Sequence, residues 1–220
     1  MLTLVEGKEE EILASRVPAG AEVLDCGCGE GAKARALGAR GCRVDGVELD
    51  PARARAAAAA CREVFGFDLG AAAGWAALGD RRYDAVVFSH VLEHLTAPTV
   101  ALREAEARLR PGGAIVILLP NVAHWTARWT LARGRWPTAD EGLFDRTHVR
   151  FYTPEGAAAL VRDAGVELRE AVGLTIGATG GALRRGVIAL ARRAAPPAFA
   201  LTTLLVAGAG ATPGAGSRPG

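Results

Sequence analysis

Between residues 25 and 31 the chain reads Asp25-Cys-Gly27-Cys-Gly29-Glu-Gly31, a run of alternating glycines behind an acid. Glycine lets backbone pass close to a ligand, and the amide hydrogens of such a turn, opening a helix, form a positive surface. Further polar groups follow at Glu48, Asp68 and the pair Ser89-His90. A carboxylate about 20 residues after a glycine turn is suited to bind ribose hydroxyls. Asp68 can accept from an adenine amino group or, equally, cap a helix. Downstream lie His124 and His148, with Asn121, Trp125, Asp145 and Arg150 around them. Histidine titrates near neutrality and can take a proton from an attacking oxygen or nitrogen. His148 is the first choice as base and His124 the second. Asp145 can orient His148 if the loop folds back, with Asn121 and Arg150 as further orienting or substrate-binding groups. For each histidine the plainer alternative is a hydrogen bond that ties down a loop.

The apolar pattern supplies elements to hold these groups. Strands are expected at Ala21–Asp25, Arg43–Glu48, Glu63–Phe67, Tyr83–Ser89 and Ala114–Leu119, and the polar groups stand at the ends of the first four. Helices are expected at Ala32–Ala39, from Asp50-Pro51 to Cys61, around Ala71–Leu78, and from a Thr96 cap to Arg110, where Pro111-Gly112-Gly113 breaks the run. Short apolar runs alternating with helices describe a parallel sheet wrapped on both faces, which binds ligands at the carboxyl ends of its strands. Residues 121–152 break the pattern and read as an insertion over the substrate side. Trp125, Trp129 and Trp136 are spaced for one helical face, expected to pack on the sheet in preference to stacking on a flat acceptor. Beyond it come a helix from Thr153 to Ala164, a strand Val166–Val172, a helix Leu183–Arg193 and a strand Phe199–Val206. Residues 1–207 thus form one domain, and Gly208–Gly220, built from Gly, Ala, Pro, Ser and one Arg, read as a disordered tail.

Composition narrows the function. Of 220 residues 50% are hydrophobic and 23% charged, with 26 basic against 24 acidic side chains and a net charge of +2. That balance argues against a nucleic-acid partner, since binding phosphate usually needs a marked basic excess. Cys26, Cys28, Cys42 and Cys61 lack CxxC spacing, so reduced thiols are expected and no metal is assigned. Glu6 and Glu9 to Glu11 stand where a signal peptide would carry basic and apolar residues, so a cytoplasmic location is expected. The run Ala198–Ala209 is too short to span a bilayer, so no stable membrane insertion is expected. Arg184, Arg185, Arg192 and Arg193 read as a solvated helix face.

The run Val23-Leu-Asp-Cys-Gly-Cys-Gly-Glu-Gly31 resembles the first motif of the class I S-adenosylmethionine-dependent methyltransferases, with Cys26 where that family usually has Leu. Tyr83 to Leu95, with its HVLEHL turn, and Arg110-Pro-Gly-Gly113 resemble the family's fourth strand and its lead into the fifth. Pro120-Asn-Val-Ala-His-Trp125, Gly134-Arg-Trp136 and Gly142 to Phe151 are similar to a bacterial subgroup like the methionine-biosynthesis-type methyltransferases. The resemblance implies a doubly wound, seven-stranded α/β sheet with its last strand antiparallel, and S-adenosylmethionine as cofactor. It further implies that Asp25, Gly27, Cys28 and Gly29 hold the amino-acid part, Glu48 beside Leu49 the ribose, Asp68 beside Leu69 the adenine, and Ser89 with His90 the methionine part. His90 and His94 are read as shaping the cofactor wall and Glu93 as their solvated neighbour. The acceptor is expected to be a small molecule or glycan, and the protein a monomer or homodimer. Two alternatives stand. Gly27-x-Gly29-x-x-Ala32 also satisfies a dinucleotide fingerprint, which would make the chain an NAD(P)-dependent oxidoreductase, and the fold also suits a non-catalytic partner of another enzyme.

Overall fold

A computed structural model describes residues 2–175 and 190–208. In chain order its elements are β1 (Thr3–Glu6), α1 (Glu9–Ser15), β2 (Glu22–Cys26), α2 (Ala32–Gly38), β3 (Arg43–Val47), α3 (Pro51–Ala57) and β4 (Glu63–Phe65). There follow β5 (Tyr83–Ser89), α4 (Pro98–Ala107), β6 (Leu109–Pro120), α5 (Trp125–Ala132), α6 (Pro154–Asp163), β7 (Glu167–Thr175) and β8 (Thr202–Gly208). The strands form one sheet in the order β1-β7-β8-β6-β5-β2-β3-β4. β8 runs antiparallel to β6 and β7, and the remaining pairs are parallel. The order reverses at β2, which pairs with β3 on one side and β5 on the other, so the glycine turn after β2 and the His90 turn after β5 meet over one crevice.

The expected α/β sheet with its antiparallel last strand is present, with eight strands where seven were expected. The extra strand is β1, which joins the edge by pairing with β7. Four half-exposed residues, Thr3-Leu-Val-Glu6, carry too little alternation to announce a strand. Several boundaries also move, α3 ending at Ala57 in place of Cys61 and β7 running to Thr175 in place of Val172 among them. Ala97, not Thr96, precedes α4, because Pro98 takes the first helical turn. Pro111-Gly112-Gly113 lies inside β6, where the register with β5 jumps from Tyr83↔Leu109 to Ala85↔Ala114, so the segment bulges outward without ending the element. β8 continues through Gly208, which therefore belongs to the domain, not the tail. Residues 183–189 of the expected helix and 209–220 of the expected tail lie outside the described residues, while 190–194 are helical.

β5 and β6 are buried along most of their length, with one apolar cluster on each face of the sheet. At the opposite end from the crevice, the buried carboxylate of Asp45 on β3 accepts from Arg62 Nε and Nη2 at 2.8 and 2.6 Å and from the Tyr83 hydroxyl at 3.0 Å. Arg62 also reaches Glu22 at 2.8 Å, so one network ties β2, β3, β4 and β5 together. Burial and the neighbouring Asp45 carboxylate both raise the Tyr83 phenol above its ordinary pKa. Asp45→Ala leaves a buried hydroxyl and a guanidinium without their acceptor and is expected to cost about 3 kcal/mol, read as a lower urea midpoint at unchanged slope.

Candidate active site

The side expected to hold the cofactor is built first by backbone. Gly27 N and Cys28 N both donate to the Val47 carbonyl, at 2.8 and 3.0 Å, which pins the glycine turn to the end of β3. Gly27, Gly29 and Gly31 sit at φ of 71°, 55° and 81°. A Cβ on Gly27 would stand 2.5 Å from Val91 Cγ2, so that glycine is required by packing. A Cβ on Gly29 would meet nothing within 4 Å, so this backbone faces open space. Glu48 closes the turn from below: Oε2 accepts from Gly29 N and Oε1 from Asp50 N, each at 2.9 Å. Two lone-pair directions of the carboxylate remain for hydroxyl donors. Asp25 lies behind the turn, buried, with Oδ2 lacking any hydrogen-bond partner. Burial pushes its carboxyl up to about 7, with Lys33 opposing and Glu48 adding to the shift.

The other residues expected on this side divide. Gly27, Glu48 and His90 line a groove of about 440 Å³. Asp25, Asp68 and Ser89 are not among its lining residues. Asp68 is exposed and its Oδ1 accepts from Gly70 N at 2.8 Å in a turn, and it is not the helix cap that stood as its alternative, because the 3-10 helix that follows is preceded by Ala71. Ser89 Oγ is buried and unpartnered. Leu49 is exposed, whereas Leu69 is buried and its carbonyl accepts from Trp75 Nε1 at 3.1 Å. The Cys28 thiol turns into the core beside Cys61 and Gly46, which leaves only backbone for a ligand.

A second cavity, about 410 Å³, adjoins the groove and shares His90, His94 and Asp145 with it as a common wall. His90 is the one residue other than glycine with positive φ, at 56°, among those described. Its Nε2 donates to Glu9 Oε2 at 2.9 Å, and its Nδ1 stands 3.5 Å from Glu93 Oε1. Burial opposes the imidazolium, but the hydrogen bond to Glu9 and the adjacent Glu93 carboxyl outweigh it and raise the pKa to about 9. Glu9 also accepts from the Thr202 hydroxyl. Glu93 was expected to be solvated. It is fully buried, because its carbonyl accepts from Val149 N and Arg150 N, at 3.0 and 3.1 Å, and so draws the 121–152 segment over it.

That same contact brings His148 to the turn after β5. His148 Nε2 lies 3.9 Å from Glu93 Oε1, and its ring meets that of His94 edge-on at 4.8 Å between centroids. The side chain of Asp145 does not hold His148. It accepts from Thr147 N and Thr147 Oγ1, at 2.7 and 2.6 Å, and those bonds hold its pKa down. With its proton on Asp145, the Thr147 hydroxyl accepts from His94 Nδ1 at 3.0 Å. Asp145 therefore orients His94 through Thr147, and Nε2 of His94 carries the free lone pair.

Several expected site residues have structural work instead. Asn121 is fully buried and its amide is fully used, donating to the carbonyls of Pro197 and Ala200, both at 2.7 Å, and accepting from Ala123 N at 2.9 Å. Arg150 donates to the carbonyls of Leu95 and Thr96 at 3.2 and 2.5 Å. His124 precedes α5, with Nδ1 2.7 Å from Thr126 Oγ1, outside the cavity's lining, and burial lowers its pKa. Trp125 and Trp129 share a face of α5 as the spacing required, but that face is 52% and 55% exposed at these residues and does not pack on the sheet. Trp136 lies beyond the helix, edge-on to Phe144 and Phe151. Sequence reasoning missed Glu9 and Thr202 and misjudged Glu93, because only the fold brings both ends of the chain to His90.

A sequence profile of the family described as "Methyltransferase domain" matches residues 8–171. The ubiquinone biosynthesis O-methyltransferase of Xanthomonas axonopodis pv. citri (strain 306) is 29% identical over 170 residues, 75% of this chain and 70% of that protein. The ribosomal RNA small subunit methyltransferase C of Chromohalobacter salexigens is 40% identical over 110 residues, 46% of this chain and 32% of that one. Among solved structures, a SAM-dependent methyltransferase from Archaeoglobus fulgidus superposes with a TM-score of 0.61 at 19% identity, covering 90% of this chain and 94% of that one, a likeness of fold. Among the described residues no helix is long and apolar enough to cross a membrane.

Two outcomes are expected. Asn121→Ala leaves two carbonyls and one amide unpaired in the interior and should lower stability by about 3 kcal/mol, while calorimetry finds binding at the glycine turn unchanged. The raised pKa of His90 means its contribution to folding is complete below pH 6.5, the unfolded value, and is lost as pH rises through about 9. His90→Gln should remove that alkaline loss from the thermal midpoint measured across this range.

Proposed function

The chain belongs to the methyltransferase-domain family and is an S-adenosylmethionine-dependent methyltransferase, and we propose that it methylates an oxygen of a small-molecule or glycan-type acceptor seated in the cavity beside His90, Glu93, His94 and His148. The observation that carries this reading is the pair of adjoining spaces, one under the glycine turn and one over the histidine cluster, with His90, His94 and Asp145 between them. The residues present fit the cofactor. Gly29 offers backbone to open space and Glu48, on the groove wall, retains lone pairs for hydroxyls, while Asp25 stands behind the turn and supports it from the interior. The dinucleotide alternative falls with the family assignment.

The bound sulfonium supplies a methyl group already electrophilic enough to be attacked. What remains for the chain is to hold an acceptor oxygen in line, exclude water and accommodate its proton. The cavity volume suits a small molecule. Proton removal falls to the cluster at its wall: His148, His94 held through Thr147 by Asp145, and Glu93 behind them. Oxygen is favoured as the attacking atom by the O-methyltransferase name of the first relative. A small acceptor is favoured over RNA by the near-neutral charge and by the partial span of the rRNA methyltransferase match. Trp125 and Trp129 do not line the cavity, so the acceptor is held without them.

Glu48→Ala frees the Gly29 amide and removes the hydroxyl acceptor at once. Calorimetry with S-adenosylhomocysteine should show binding weakened by about 10-fold or more, roughly 1.4 kcal/mol per decade. His148→Ala should lower kcat by about 100-fold with that binding intact, measured by transfer of labelled methyl to hydroxylated aromatics and sugars. Wild-type protein that does not bind S-adenosylhomocysteine, or a His148→Ala variant at full rate, overturns this reading.

A further inference from the structure

Glu93 is an anomaly in the site just described. Both of its carboxylate oxygens are buried and neither accepts a hydrogen bond. A buried carboxylate is costly unless a charge or a set of donors compensates it. The His90 imidazolium, at 3.5 Å, is shared with Glu9, and the same cavity is walled by Asp145 and Glu141 as well. Glu9 and Asp145 have hydroxyl or amide donors of their own, whereas both oxygens of Glu93 have none, which leaves the buried Glu93 carboxyl as the group that calls for a cation.

The neighbouring donors have the chemistry to hold one. Glu93, His94 and His148 each offer a ligand atom, and these atoms lie within 4.8 Å of one another. His94 arrives already oriented, since its Nδ1 is bonded to Thr147 Oγ1 and stands 3.2 Å from the Thr147 carbonyl, with Nε2 left for a ligand. A hydrogen bond on the far nitrogen is how metal-ligating histidines are usually fixed. Ligand bonds of about 2.1 Å place donors around one ion roughly 3 to 3.5 Å apart, so the three side chains need to close by about 1 Å. Nδ1 of His148 is buried and unpartnered, so the ring is held by packing against His94 and Phe151 and by no hydrogen bond of that nitrogen.

We propose that Glu93, His94 and His148 form a binding site for one divalent first-row transition-metal ion, open on its cavity side to a hydroxyl of the acceptor. Two imidazoles and one carboxylate select such an ion over magnesium or calcium, which take mostly oxygen donors. Three protein ligands leave coordination positions free for substrate. The inference rests on the reading above for its purpose and names how the cluster disposes of the acceptor proton. A hydroxyl that replaces water on the ion is acidified and releases its proton to solvent. The resulting oxygen then forms a bond to the methyl carbon as the carbon–sulfur bond breaks, and sulfur keeps the electron pair.

The test uses the full chain, stripped with a chelator and dialysed, and titrated with Mn²⁺ while free Mn²⁺ is followed by electron paramagnetic resonance. Wild type is expected to bind about one Mn²⁺ per chain and to gain thermal stability from it, and His94→Ala and His148→Ala to bind on the order of 10-fold more weakly or worse. Thr147→Val, which keeps all three ligands but removes the hydroxyl holding His94, should give a smaller loss in the same direction and covers the case in which an alanine variant does not fold. Wild type that binds neither Mn²⁺ nor Zn²⁺ up to about 1 mM, or alanine variants that bind Mn²⁺ as wild type does, overturns the proposal. S-adenosylhomocysteine binding is measured in parallel in chelator: if it persists while Mn²⁺ binding is absent, the metal site alone fails, and if it too is absent, the methyl-transfer reading fails with it.

Discussion

The site depends on one shared acceptor. The amides of Gly27 and Cys28 both point at the Val47 carbonyl, and that pair of bonds bends the chain sharply as it leaves β2. The bend carries Gly29 out over the crevice and brings its amide to Glu48, which begins where β3 ends. Parallel pairing of β2 with β3 and β5 has already aligned the three strand ends. Ligand geometry thus follows from strand register, since a slip of one residue would exchange the two faces of every side chain involved. The Asp45 network at the other end of the same strands holds that register where the sheet has no crevice to stabilise it.

The histidine cluster depends on a second carbonyl, that of Glu93, which receives two amides from the far side of the 121–152 segment. Without it His148 would have no reason to stand beside His94, from which 53 residues separate it in the chain. The same contact buries the Glu93 carboxylate, so positioning His148 and desolvating Glu93 are one event. Arg150 adds to the clamp by gripping the Leu95 and Thr96 carbonyls, and Asn121 closes the base of the segment against the loop before β8. Residues that looked available for substrate are the ones that fasten the cover.

This division explains what was legible in the sequence. The cofactor half is local: a strand, a glycine turn and an acid at the end of the next strand are each written in a few consecutive residues, and their spacing survives folding unchanged. β5 was read to the residue, because its Val-Val-Phe core stands between the charged Arg81-Arg82 pair and His90. The acceptor half is not local. Glu93 reads as solvated when seen between two histidines, and only the tertiary contact with Val149 and Arg150 reverses that. β1 and Glu9 escaped notice for the same reason, since an edge strand of four residues has meaning only once β7 is there to pair with it. The tryptophan spacing pointed to a helical face, but α5 ends at Ala132 before Trp136, and periodicity does not tell what the face of Trp125 and Trp129 touches.

A charge inventory of the cavity links the two halves. His90 holds a raised pKa because Glu9 and Glu93 flank it, and it stands at the common wall of both spaces. Its positive charge stabilises a carboxylate that would otherwise face the crevice uncompensated, yet a cationic sulfonium must approach the same wall. A fixed imidazolium with no carboxylates would repel that cofactor, and carboxylates with no imidazolium would raise their own pKa and take up protons. Glu9 and Glu93 both lie against the one ring of His90, so this stretch of wall carries two carboxyl groups for each such imidazole. Carboxyl groups in that ratio favour a cation beside the wall over a neutral group of the same shape, so the contacts that make this wall costly to bury also give it a preference for charge.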